Sequence, residues 1–226
     1  EIPNNLKSLA TSAIHSVDYI CLRDNASAQR INKLLMRPAS VVPDTALDIS
    51  SLWPAKNLPE NKKGKPLILS LTPADAIYKW EEIEYLFKQL KNRKGFSGEV
   101  IILPLMGWQT STGLIQQKLK SKYVHKITIK DRKLNLEECA LEISKGFAYV
   151  GNSLHGLITA VSYSVPAVLV RPLGAESATK YAGFAEHFSP SEKYLLANNY
   201  TEAGSILDNT RLINKQNALN KLDNIF

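Results

Sequence analysis

The chain has 226 residues, of which 44% are hydrophobic and 22% charged, with a formal net charge of +7. This balance belongs to chains that bury a core, so it excludes disorder as the default and leads one to expect one domain or one and a half. No apolar run reaches the length of a membrane-spanning helix and no basic-then-apolar leader opens the sequence, so a cytosolic protein is the expectation.

In chain order, the pattern predicts a helix near Leu6 to Ile14, a strand over Tyr19 to Leu22, a helix near Ala28 to Leu35 and a short strand at Val41 and Val42. Two strands cannot close a sheet, and the chain opens on Glu1. Residues 1–60 are therefore expected to be the C-terminal portion of a first α/β domain plus a linker, its earlier strands absent. The stretch from Pro54 to Pro66, rich in breakers and lysine, reads as that linker.

Residues 61–226 are expected to form a second, Rossmann-like α/β domain with a C-terminal helix. Five apolar, β-rich runs stand out: 67–71, 99–104, 126–129, 148–151 and 167–170. The first gap carries Trp80, Ile83, Leu86, Phe87 and Leu90 at helical spacing, ended by Gly95. The second carries Leu114, Ile115 and Leu119. The third carries Leu136, Cys139, Ala140 and Ile143 before Gly146, and the fourth Leu157, Ile158, Val161 and Tyr163. Strands alternating with helices predict right-handed crossovers and a doubly wound parallel sheet. After Pro190 come Tyr194 to Leu196 and a helix with Thr201 as N-cap, Ala203, Ile206 and Leu207 facing inward, and a continuation to Phe226.

Cys21, in a predicted strand, and Cys139, in a predicted helix, read as small buried hydrophobes; neither a disulfide nor a metal site is expected. The densest basic run, Lys118 to Lys133, reads as a helix end and an edge strand kept soluble by lysines. Its functional alternative is attraction to an anionic membrane surface or acceptor. No basic helix or aromatic-basic motif of a nucleic-acid reader is present, so nucleic acid is not an expected partner.

In an open parallel sheet, ligands bind beyond the carboxyl ends of the strands. Three such places are unusual. Arg23-Asp24 follows the first strand, where a surface ion pair is the plain alternative, and Pro43-Asp44 follows the second, where a turn-making aspartate is. The strongest signal is Gly151-Asn152-Ser153-Leu154-His155-Gly156. There a strand meets a helix, Ser153 can cap it and His155 falls in its first turn. Open amides and the positive helix end make an anion site, to which a histidine can add a proton or a charge; a histidine that merely caps the helix is the plain alternative. Gly156 is expected to let a ligand or another chain come close. His15, His125 and His187 read as structural or exposed. After the strand 167–170 come Arg171 and then Lys180, a point charge suited to phosphate.

These pieces in this order resemble the polysaccharide pyruvyl transferase family: Arg23, Asp24 and Ser27, then Pro43 and Asp44, then the Ser153-Leu154-His155-Gly156 turn with Ala160 and Val165-Pro166 behind it, then Lys180. The resemblance runs from about Asp18 to Phe188. It implies a glycosyltransferase-B-like two-domain architecture with an incomplete N-terminal domain and the site in the cleft. It also implies transfer of a pyruvyl group from phosphoenolpyruvate to the hydroxyls of a glycan or lipid-linked sugar of a capsule, exopolysaccharide or cell wall, giving a pyruvate ketal. Many members carry Arg-Leu-His where this chain has Ser153-Leu154-His155, so one cation expected near the donor is missing, with Arg171 or Lys180 as substitutes.

On that resemblance His155 is assigned general acid-base work or phosphate contact, and Arg23 and Lys180 the donor's anions. Ser153, Asn152 and the helix amides are assigned its phosphate, with Arg171 as a further donor ligand. Asp24 either orients Arg23 or serves as a base. No cofactor is expected beyond phosphoenolpyruvate as donor substrate, and no metal. Peripheral association with the inner face of the membrane would suit a lipid-linked acceptor. Two rivals remain open: a glycosyltransferase using a nucleotide sugar, with Glu176 as ribose ligand, and a non-catalytic glycan-binding relative.

Overall fold

The structure, a computed structural model, describes residues 3–55, 64–105, 119–130, 134–171, 183, 187 and 196–209. The helix expected around Leu114 and Ile115, most of the linker, Lys118, Arg132, Lys133, Glu176, Lys180 and the final stretch to Phe226 lie outside them.

A short 3-10 turn at Asn4–Leu6 leads into α1 (Lys7–His15). Strands β1 (Cys21–Leu22) and β2 (Ser40–Val41) pair in parallel on either side of α2 (Asn25–Leu35). Asp24 starts α2 because its carboxylate accepts from the Ser27 amide at 2.7 Å. Asp44 does the same for the 3-10 turn Thr45–Asp48, accepting from Ala46 at 3.1 Å, and α3 (Ile49–Leu52) follows.

The larger part begins with β3 (Lys65–Ser70), α4 (Pro73–Tyr78), α5 (Trp80–Leu90), β4 (Phe96–Ile102) and β5 (Lys126–Ile129). It continues through α6 (Leu136–Ser144), β6 (Ala148–Gly151), α7 (Leu154–Ser162), β7 (Ala167–Val170), β8 (Leu196–Ala197) and α8 (Tyr200–Asn209). The sheet order is β5-β4-β3-β6-β7-β8 and every neighbouring pair is parallel. This is the doubly wound α/β sheet that the five apolar runs predict, with β8 as a sixth strand.

Alternation along each strand divides the core. Leu67, Leu69, Val100, Ile102, Val150 and Val168 pack with α5 and α8 on one face. Ile68, Tyr149, Ala167 and Leu169 pack with α6 and α7 on the other. Leu47, from the 3-10 turn after Asp44, is buried in this second cluster with Leu154, Leu157 and Ile158. Ser50 N donates to Ser162 Oγ at 3.0 Å and Tyr163 Oη to the Trp53 carbonyl, so the N-terminal segment is fastened to α7.

Strand β5 lies at the sheet edge, where Lys126 pairs with Glu99 at 3.7 Å and Lys130 with Glu142 at 3.3 Å, as an edge guarded by lysines requires.

Four local expectations are corrected. Cys21 is exposed, because β1 belongs to a two-stranded sheet too small to bury both faces, and Cys139 is half-buried; both thiols are free. Burial, with Glu138 and Glu142 nearby, pushes the Cys139 thiol up, which favours its protonated form. Leu136 is exposed because it opens α6 ahead of the buried stripe. Thr201 lies inside α8, whose cap is Asn199, accepting from the Glu202 amide at 2.8 Å.

Candidate functional site

The sheet reverses its winding between β3 and β6: β4 and β5 follow outward from one, β7 and β8 from the other. The crevice beyond the carboxyl ends of such a pair is the binding place of open α/β sheets. Gly151 ends β6 there, and a Cβ on it would stand 2.5 Å from the Ser70 carbonyl oxygen, so the close approach of β3 and β6 demands glycine. Asn152 N then donates to Ser70 O at 3.2 Å.

Ser153 is the N-cap of α7, in extended backbone, with Oγ accepting from the Gly156 amide at 3.3 Å. The first bond within the helix runs from Leu157 N to Ser153 O at 3.0 Å. The amides of Leu154 and His155 precede that bond and face the open, positive end of the helix. Asn152 and Ser153 are buried, whereas His155 is exposed at the mouth.

Gly156 has a different reason from the one its sequence context suggests. A side chain there would overlap the Tyr149 hydroxyl, which donates to Ser153 O at 3.2 Å. The glycine makes room for a buried tyrosine that braces the cap, not for a ligand. Gly156→Ala is accordingly expected to destabilise the fold by about 1–3 kcal/mol in urea unfolding. Adding Tyr149→Phe should recover only part of it, since ring carbon ζ would still lie 2.5 Å from the new methyl.

Below the mouth lies a polar cluster that the sequence reading did not single out. Asp75, 1% exposed, closes a capping box at the start of α4, accepting from Thr72 Oγ1 at 2.7 Å and Thr72 N at 3.3 Å. Its Oδ2 also accepts from Asn152 Nδ2, and its Oδ1 lies 3.4 Å from Lys79 Nζ. Lys79 reaches the Arg171 carbonyl at 3.5 Å and stands over the Tyr200 ring. Burial, with Asp75, Tyr149 and Glu82 nearby, holds the Tyr200 hydroxyl well above its usual range, so it stays protonated.

Arg23, Asp24 and Asp44 come together at the carboxyl end of the β1–β2 pair. They line an open cavity of about 480 Å³ with Cys21, Ser27, Pro43 and Thr45 among its walls. The carboxylate that holds Arg23 is Asp44, Oδ2 to Nη1 at 3.3 Å, rather than Asp24. Asp24 is engaged by Ser27, through the amide at 2.7 Å and Oγ at 2.9 Å.

His187, set aside by the sequence reading, is buried with Nε2 2.7 Å from the Arg23 carbonyl oxygen. Gly183 lies so close to Asp24 that a Cβ would overlap its side chain. The segment after β7 therefore touches the Arg23-Asp24 turn at two described points.

Arg171 is exposed at the end of β7, the neighbour of β6, while Lys180 lies outside the described residues. The structure thus groups Asn152, Ser153, His155 and Arg171 at the main sheet's carboxyl edge and Arg23, Asp24 and Asp44 at that of the small sheet. The 3-10 turn after Asp44 packs on α7 and links the groups. Among the described residues no group of His, Cys, Asp and Glu has a metal-binding arrangement. None of the described helices is long and apolar enough to cross a membrane.

A family model for polysaccharide pyruvyl transferase matches residues 1–172. No curated protein matches the chain. Among solved structures, the S. aureus MnaA–UDP co-structure is similar at 14% identity and a TM-score of 0.50, over 92% of this chain and 51% of that one. An alpha,alpha-trehalose-phosphate synthase (UDP-forming) from Burkholderia xenovorans in complex with glucose-6-phosphate is similar at 12% identity and 0.49, over 90% and 55%. The chain thus spans about half the length of the solved structures it matches. At these identities the likeness concerns the fold, which is that of the glycosyltransferase-B type.

Proposed function

The chain belongs to the polysaccharide pyruvyl transferase family, and from that premise we propose that it transfers a pyruvyl group from phosphoenolpyruvate to two hydroxyls of a cell-surface glycan or its lipid-linked precursor. The observation that carries this reading is the head of α7, an open helix end at the winding reversal with His155 exposed beside it. Such an end favours a phosphate by its amides and its dipole together.

The reaction adds a proton to the methylene carbon of the donor, which becomes the methyl group. Carbon 2 gains bonds to two sugar oxygens and loses its bond to phosphate. Of the two hydroxyl protons, one balances the new methyl proton and the other leaves with phosphate. His155 serves as the acid and base for these transfers. Ser153 and the α7 amides hold the phosphate, with Arg171 and Lys180 adding charge, and Arg23, oriented by Asp44, takes the donor carboxylate. Asn152, buried with its N–H groups given to Ser70 and Asp75, fixes the backbone before Ser153 rather than touching the donor. Asp24, already bound to Ser27, serves this arrangement by fixing the turn that carries Arg23.

The test is phosphate release from phosphoenolpyruvate with a glycan acceptor, together with thermal shifts by phosphoenolpyruvate and by a panel of nucleotide sugars. Release coupled to a new ketal methyl supports the reading. Stabilisation by nucleotide sugars alone sinks it in favour of glycosyl transfer, and no small-anion binding at all favours a non-catalytic relative.

Lys180→Ala is expected to raise KM for phosphoenolpyruvate about tenfold with little change in kcat. A point charge distant from the bonds being made stabilises ground and transition states about equally. Lost turnover with unchanged KM would show that Lys180 acts on the reacting atoms.

A further inference from the structure

We propose that Asp75 is a positioning residue for the anion site at the head of α7, acting through Asn152. This rests on the reading of that helix end as the donor site. Asp75 and Asn152 are 77 positions apart, and each follows one of the two strands between which the sheet reverses, β3 and β6. Asn152 is held at both ends of its residue: its amide donates to Ser70 O at 3.2 Å, and its side-chain nitrogen donates to Asp75 Oδ2. With both fixed, the backbone entering Ser153 has one orientation, and so do the Leu154 and His155 amides that follow.

The cap on α4 accounts for the bonds between Asp75 and Thr72, but not for the reach of Asp75 to Asn152 and Lys79. A buried carboxylate and ammonium lose their hydration, and well-packed apolar residues in their place are often as stable or more so. The network is also incompletely satisfied. Ser70 Oγ, Asn152 Oδ1 and Tyr200 Oη are buried without a hydrogen-bond partner among the described residues. A buried network in that condition is a poorer stabiliser than an apolar core. What it supplies is direction, since Asp75 draws the amide of Asn152 inward while Lys79 balances the charge at 3.4 Å.

The experiment titrates phosphoenolpyruvate and inorganic phosphate into the wild-type chain, Asn152→Ala and the paired replacement Asp75→Leu with Lys79→Met. The paired replacement, which also opens the capping box of α4, should lower the thermal midpoint yet stay folded at the assay temperature. It should bind phosphoenolpyruvate about 100-fold more weakly, the scale of a small misplacement in a built site. Asn152→Ala should show a similar loss, and combining it with the pair should add little, because the residues act in series. Unchanged affinity in the folded paired variant overturns the positioning role while leaving the site itself standing. Failure of the wild-type chain to bind either anion overturns both this proposal and the donor site beneath it. Should the pair not fold, Asp75→Asn is read by the same two outcomes.

Discussion

His155→Ala is expected to lower turnover with phosphoenolpyruvate by about 10²- to 10⁴-fold, the usual contribution of a positioned acid-base group. The thermal midpoint should barely move. The imidazole is exposed, and surface replacements away from caps and buried networks change stability by no more than about 0.5 kcal/mol. The cap and the brace of α7 belong to Ser153 and Tyr149, so they survive the change. His155→Gln keeps a side-chain N–H donor but cannot carry a proton at the pH of the assay. Recovery of turnover in His155→Gln would show that the ring only donates a hydrogen bond to phosphate. Wild-type kcat with a raised KM in His155→Ala would show the same from the other side.

The parallel sheet was legible because its strands are apolar on both faces. Runs such as Val100-Ile-Ile-Leu103 have no solvent side, which is the condition of a parallel strand covered by helices above and below. The helix stripe from Trp80 to Leu90 was legible for the opposite reason, since one side of it is charged. What periodicity missed was α4, six residues long and too short for a stripe to form. Its signature lies at its start, where Thr72, Pro73 and Asp75 make a capping box with proline in the first turn. Read as an N-terminus signal, that stretch would have placed both the helix and the buried aspartate.

The head of α7 was legible because strand, glycine, cap and histidine are contiguous. The network behind it was not, because Asp75, Lys79, Asn152 and Tyr200 meet only once β3 and β6 lie side by side and α8 folds onto α5. His187 was hidden likewise: nothing near it in the chain announces a bond to the Arg23 carbonyl 164 positions away. The pairing of Arg23 with Asp44 shows how proximity in sequence misleads. Asp24 is adjacent, but as an N-cap it turns toward α2, and the carboxylate within reach comes from the end of the neighbouring strand.

Arg23→Met is therefore expected to lower kcat/KM for phosphoenolpyruvate by about 10- to 100-fold, the range for losing a charge-assisted contact to a carboxylate. The fold should persist. An ion pair whose arginine side chain is 36% exposed contributes only about 0–1 kcal/mol, and the His187 bond is to the Arg23 backbone, which the replacement keeps. Asp44→Asn separates orientation from charge: the amide oxygen can still cap the Thr45–Asp48 turn through Ala46, but the charged partner of Arg23 is gone. If Asp44 works by aiming Arg23, Asp44→Asn should lose less than Arg23→Met, and the double variant should be no worse than Arg23→Met alone. Arg23→Lys then asks whether the planar fork matters, because lysine supplies the charge without paired, coplanar N–H groups. Recovery in Arg23→Lys would assign a point charge. Wild-type kcat and KM in Arg23→Met would remove Arg23 from the donor site and leave the 480 Å³ cavity beside it to the acceptor.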